Sequence, residues 1–168
     1  GIPFISVPGT QPLRQVTWST DWDQSDDGAP CRATGYPIPD EAETQNSWIE
    51  GGYPGNVDID AIPEADGDRH MLIVDRDNHI LYELFYTFWV TDHWEAASGA
   101  VFPLDEIRRR PDGWTSSEAA GLALLPGLVR RDEAYGTGPI PANTFLVING
   151  LASPTMLLEI DITAVVAK

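Results

Sequence analysis

Met71-Leu72-Ile73-Val74-Asp75 and Ile80-Leu81-Tyr82-Glu83-Leu84-Phe85-Tyr86-Thr87-Phe88-Trp89-Val90 are two β-prone runs separated by Arg76-Asp77-Asn78-His79. β-Branched and aromatic side chains fit a pleated, half-buried surface. Asp and Asn tolerate the backbone geometry of a tight turn. The pattern predicts a β-hairpin over residues 71–90. Both runs are apolar at nearly every position, so both faces of the pair are expected to be covered, and a two-layer β structure is favoured over a sheet with one wet face.

Working outward toward the N-terminus, residues 1–65 are rich in Pro and Gly. Pro3, Pro8, Pro12, Pro30, Pro37, Pro39, Pro54 and Pro63 forbid long helices and keep strands short or at edges. Ile2, Phe4, Ile5 and Val7 give an apolar, extended opening. Residues 13–18 read as a strand and 28–43 as a loop. Toward the C-terminus, residues 100–102 read as a short strand and 104–110 as a helical turn stopped by Pro111. Thr115-Ser116-Ser117-Glu118 fits a capping box, which predicts a helix over 117–124 that ends near Pro126-Gly127. Residues 145–149 read as a strand. Residues 155–166 alternate, with Met156, Leu158, Ile160, Ile162 and Ala164 on one face, which predicts a long strand with one buried side. The expected fold class is all-β, a β-sandwich or jelly-roll-like domain with one short helix near 117–124. An extended N-terminal arm, 1–12, precedes a single domain, 13–168.

The composition suits such a domain. The 168 residues are 42% apolar, enough for a core, and carry a net charge of −16. A surface of that sign repels a phosphate backbone, so nucleic acid is an unsuitable partner, and anionic lipid is unsuitable for the same reason. No segment reaches the ~18 apolar residues that span a bilayer as a helix. Cys31 is alone, so no disulfide forms within the chain. Nine of the ten basic residues are Arg, with Lys168 the only Lys; the bias has no physical account. Opening at Gly1, without Met or a leader, reads as a processed chain or a fragment. The acidic, Lys-poor composition leans toward an extracellular or cell-surface location.

Asp21, Asp23, Ser25 and Asp27 place oxygen donors at alternate positions before Gly28, a pattern that suits a hard cation. It is not an EF-hand, because Gly falls at the eighth position and Arg32 stands where the bidentate Glu belongs. Ca²⁺ is therefore the one cofactor left open, against the plainer alternative of a solvated acidic turn. Asp58, Asp60, Glu64, Asp66 and Asp68 form a weaker acidic stretch. His70, His79 and His93 show no metal-binding spacing. Glu83 sits among apolar neighbours; an ion pair with Arg69 or Arg76 is expected, and an acid catalyst is the alternative. No nucleophile elbow, P-loop or dinucleotide motif occurs, so no catalytic residue is assigned and an enzyme is not the favoured class. Among the six Trp, Trp94 is the leading candidate for an exposed glycan-stacking platform, with Trp114 second; core packing is the alternative for both.

Asp68–Asp77 with Leu81-Tyr82-Glu83-Leu84, Ser98-Gly99-Ala100-Val101-Phe102, residues 110–116, Ala119-Ala120-Gly121-Leu122 and Pro126-Gly127-Leu128-Val129-Arg130 resemble a family of uncharacterised secreted bacterial proteins. The opening, residues 1–12, resembles it too. The match covers roughly residues 1–140. It implies a β-rich extracellular domain and no known reaction. The last ~28 residues depart from the family pattern.

Two functions follow as expectations. The first is an extracellular structural β-domain that self-assembles, with copies of itself as partner, by strand addition from the arm residues Ile2, Phe4, Ile5 and Val7 into filaments. The alternative is a carbohydrate-binding or carbohydrate-active β-sandwich with an extracellular glycan as partner.

Overall fold

The computed structural model describes residues 2–19, 35–63, 67–106, 110–111 and 114–128, all inside one compact unit, Gly1–Leu128. The architecture is all-β. Among the described residues, seven strands appear in chain order: β1 (Phe4–Val7), β2 (Val16–Trp18), β3 (Met71–Asp75), β4 (Ile80–Phe85), β5 (Phe88–Val90), β6 (His93–Ala96) and β7 (Ser98–Pro103). One sheet runs β1-β3-β4-β7 and the other β2-β6-β5. The strands expected at 145–149 and 155–166 lie outside the described residues, as do Asp21, Asp23, Ser25 and Asp27.

The hairpin forms where the residue types placed it. β3 and β4 pair antiparallel, with Ile73 opposite Tyr82 and Val74 opposite Leu81. The Asp75 carboxylate holds the turn, accepting from the Asp77 N–H at 3.2 Å, the Asn78 N–H at 3.0 Å and the Asn78 Nδ2 at 2.7 Å. Burial raises the Asp75 pKa, but these hydrogen bonds and the Arg76 charge outweigh it and hold the carboxyl below its ordinary range. His79 closes the turn in the left-handed region, at φ 55°.

The second run, expected as one strand over 80–90, divides in two. Tyr86 adopts φ 56° and turns the chain out of the first sheet. The Tyr86 and Thr87 N–H groups donate to the Asp68 and Arg69 carbonyls, and β5 then joins the second sheet opposite β6.

The first sheet is buried on both faces, as expected. Ile5, Val7, Met71, Ile73 and Leu84 pack in one cluster with Tyr36 and Ile38 and with Trp94 and Ala96 of the second sheet. On the opposite face Leu81, Ala100 and Phe102 cluster with Val74, Ala123 and Leu125. Residues 114–128 cover that second face, and they do so without the expected helix. The Thr115 hydroxyl accepts from the next N–H at 2.6 Å, rather than from one three residues on as a capping box requires. Gly121 then takes φ 70°, and only a 3₁₀ turn, Leu125–Gly127, follows. No helix forms over residues 104–106 either. Near the N-terminus, the strand expected over 13–18 shrinks to β2, with Arg14 bridged to Tyr36.

Candidate functional site

Glu83 organises the face beneath residues 114–128. Pairing opposite Leu72 and Ala100 fixes it on that face, fully buried. The expected ion pair with Arg69 or Arg76 is absent among the described residues. Instead the carboxylate accepts from the Ser117 hydroxyl at 2.8 Å, the Leu124 N–H at 2.8 Å and the Leu125 N–H at 3.0 Å. These donors replace the water that a buried carboxylate loses. They also explain the missing helix, because the amides of Leu124 and Leu125 are spent on a residue 41 and 42 positions away. Arg69 turns elsewhere. Its guanidinium donates to the Tyr53 and Pro54 carbonyls at 3.2 and 2.9 Å and lies 4.8 Å from the Phe88 ring centroid. Burial lowers its pKa from the ordinary guanidinium range to about 10.

Next to Glu83, His70 is locked from both sides. Nδ1 lies 2.6 Å from Glu50 Oε2, and Nε2 lies 3.0 Å from the Ser117 carbonyl. The Ser98 hydroxyl donates to the Ser116 carbonyl at 3.3 Å. Asp68, His70, Phe85, Ser98 and residues 115–119 line a cavity of about 580 Å³. Three stretches that the sequence singles out therefore converge here: Asp68-Arg69-His70, Ser98-Gly99 and Thr115-Ser116-Ser117. Sequence reasoning marked each one, but it had no means of bringing them together.

The arrangement does not assemble a nucleophile. The free end of the imidazole faces a carbonyl rather than a hydroxyl, so no Ser–His pair of the triad kind forms among the described residues. Glu50, Asp68 and His70 bring three possible metal-ligand atoms within 4.8 Å of one another. Only one of them is a histidine, so the spacing of the histidines in the sequence could not reveal the trio.

The other candidates are placed as follows. Trp94 is 1% exposed and packs edge-on against Trp89, 5.4 Å between centroids. It is a core residue and offers no stacking platform. The turn before it tempted the opposite reading, but strand alternation points Trp94 inward. Trp114 is half-buried with the Arg110 guanidinium 5.3 Å from its centroid. Of the arm residues, Ile5 and Val7 are buried, Ile2 is half-buried and Phe4 is 45% exposed. β1 pairs parallel with β3, so among the described residues the arm takes an edge place in its own sheet.

Sequence reasoning did not find a second cavity, about 230 Å³, lined by Tyr86, Phe88, Trp89, Val90 and Glu95 among others. Beside it His93 sits between Asp92 and Glu95, at 3.1 and 3.0 Å. The hydrogen bond to Asp92, reinforced by Glu95, raises the His93 pKa against a smaller effect of burial.

Comparison with known protein families, curated proteins and solved structures finds no match.

Proposed function

We propose that this protein is an extracellular structural β-domain that assembles with copies of itself by strand addition, its N-terminal arm serving as the linking strand. The observation that supports this reading is the edge formed by β7. Among the described residues β7 pairs with β4 alone. The Leu104 N–H donates to the His79 carbonyl in phase with that ladder. Ala100 and Phe102 therefore exchange bonds with β4, and Gly99 and Val101 turn their N–H groups to the outer edge.

Natural edge strands are guarded by charge, proline or a covering element. Ser98-Gly99-Ala100-Val101-Phe102 contains no charge and no proline, and Val101 in its middle is half-buried. Pro103 blocks only the far end. Among the described residues, β1 and β7 end the same sheet on opposite sides. An arm from one copy laid against β7 of the next continues the sheet, and because the two patches differ the contact does not close on itself. The Pro at positions 3, 8 and 12 leaves Phe4–Val7 as the length available for pairing. The acidic, Lys-poor surface suits the extracellular placement.

Negative-stain electron microscopy of the full chain, of a chain lacking residues 1–12 and of Val101→Pro tests the proposal. Filaments are expected from the full chain and from neither variant. Val101→Pro removes an outward N–H while leaving Ile5 and Val7 in the core, so it separates loss of linkage from loss of folding. Single particles from the full chain at high concentration, or filaments that survive both changes, would overturn it. In the first case the glycan alternative takes precedence, with the Tyr86, Phe88 and Trp89 groove as its site.

A further inference from the structure

The cavity over His70 has a lopsided inventory of hydrogen-bonding groups. Every side-chain donor among the described residues that line it is already committed. His70 sets Nδ1 against the Glu50 carboxylate and Nε2 against the Ser117 carbonyl, so neither ring nitrogen is left over for a ligand. Ser98 donates to the Ser116 carbonyl, Thr115 and Ser116 donate to the Glu118 carbonyl, and Ser117 donates to Glu83. Among the described residues, neither Lys nor Arg lines the cavity. What remains for a ligand is acceptor capacity. The Asp68 carboxylate receives no hydrogen bond among the described residues. Glu118 spends Oε1 on the Ala120 N–H at 3.1 Å and keeps its second oxygen. The hydroxyl lone pairs of Ser98 and Ser117 add to these.

That lining poorly serves an anion or any ligand that must accept hydrogen bonds. It suits a ligand that is positively charged and rich in N–H donors. Phe85 supplies the third requirement. Its half-buried ring lines the cavity with His70 tilted against it, 5.3 Å between centroids. An aromatic face beside carboxylates attracts an organic cation through the ring quadrupole. A volume of about 580 Å³ is far larger than a bare metal ion needs, and it lies within the range of small-molecule pockets. A metal held by the nearby Glu50, Asp68 and His70 trio would also have to displace the 2.6 Å contact between His70 Nδ1 and Glu50. An organic cation leaves that contact intact.

We propose that this cavity binds an organic cation, a guanidinium or primary ammonium group on a short aliphatic chain, held between Asp68 and Glu118 against Phe85. The site does not depend on assembly. Asp68 is exposed and Glu118 half-buried, so both can be neutralised without opening the core.

Isothermal titration of the full chain with agmatine, which carries both groups, tests the site. Glucose and Zn²⁺ are titrated separately. Agmatine is expected to bind, and Asp68→Asn and Glu118→Gln are each expected to weaken it roughly tenfold, about the worth of one charge-assisted hydrogen bond. Asp105→Asn, an exposed carboxylate that does not line the cavity, is expected to leave binding unchanged. The interaction weakens as ionic strength rises. Absence of agmatine binding would overturn the proposal, as would binding indifferent to both variants. Zn²⁺ or glucose binding in place of agmatine would overturn it too, in favour of a metal or sugar site.

Discussion

At the scale of single residues, Glu83 is the clearest case of a side chain whose role is set by distant partners. It is a carboxylate without a cation, held by one hydroxyl and two backbone amides from a segment that crosses over it. Glu83→Gln keeps the shape but removes the charge, and its NH2 group takes the place of Oε2, which accepts from the Ser117 hydroxyl and the Leu124 N–H. Hydrogen bonds to charged groups contribute about 1.5–3 kcal/mol each, so the variant is expected to lose about 2 kcal/mol, read from the midpoint of urea unfolding. Glu83→Leu removes the conflict inside the carboxylate but strands both amides, and it is expected to cost at least as much. The sequence marked Glu83 as anomalous through its apolar neighbours. It named the wrong partners because Arg69 and Arg76 are near in sequence, whereas Ser117 is 34 positions away.

At the scale of elements, what was legible had a local cause. The β3–β4 hairpin needed only β-prone runs and an Asp–Asn turn, and both lie within the segment itself. The end of β4 was not legible, because Tyr86 takes a left-handed backbone with no glycine to announce it. The helix expected over 117–124 failed for the converse reason. A Thr-x-x-Glu pattern was present, but tertiary bonds claimed the groups a helix needs.

Strand β7 carries a further consequence. A Cβ on Gly99 would lie 2.3 Å from the Tyr36 hydroxyl and 2.8 Å from the Trp18 ring. Overpacking of this kind typically costs about 1–3 kcal/mol, so Gly99→Ala is expected to lower the thermal midpoint clearly, measured by calorimetry. Gly127→Ala, which meets nothing within 4 Å, is the control. The glycine keeps β7 close to Tyr36.

At the scale of the whole molecule, a net charge of −16 works against association of like copies. Added salt shortens the screening length to about 8 Å at physiological ionic strength. Raising the salt from low to physiological levels is therefore expected to increase the assembled fraction, followed by sedimentation. Binding of an organic cation moves the opposite way, so a single salt series separates the two proposals. Composition made the charge plain, and the quoted motif stretches contained most of the cavity's residues. Their meeting at one place depends on the pairing of β3, β4 and β7, which no single stretch encodes.

The parallel pairing of β1 with β3 also fixes an order of events. The Gly9 N–H and the Asp77 carboxylate meet across 68 positions of sequence, and β1 docks at that same junction. During synthesis the first strand emerges long before its partner exists. It must then wait through closure of a long loop, which carries an entropic cost. For that interval each copy has a loose end and, soon after, a vacant seat beside β3. Whether a chain fills its own seat or a neighbour's becomes a race between an intramolecular step of fixed rate and an encounter that quickens with crowding. Dilute chains close on themselves. Chains released together at one point on a surface do not have the same freedom to do so.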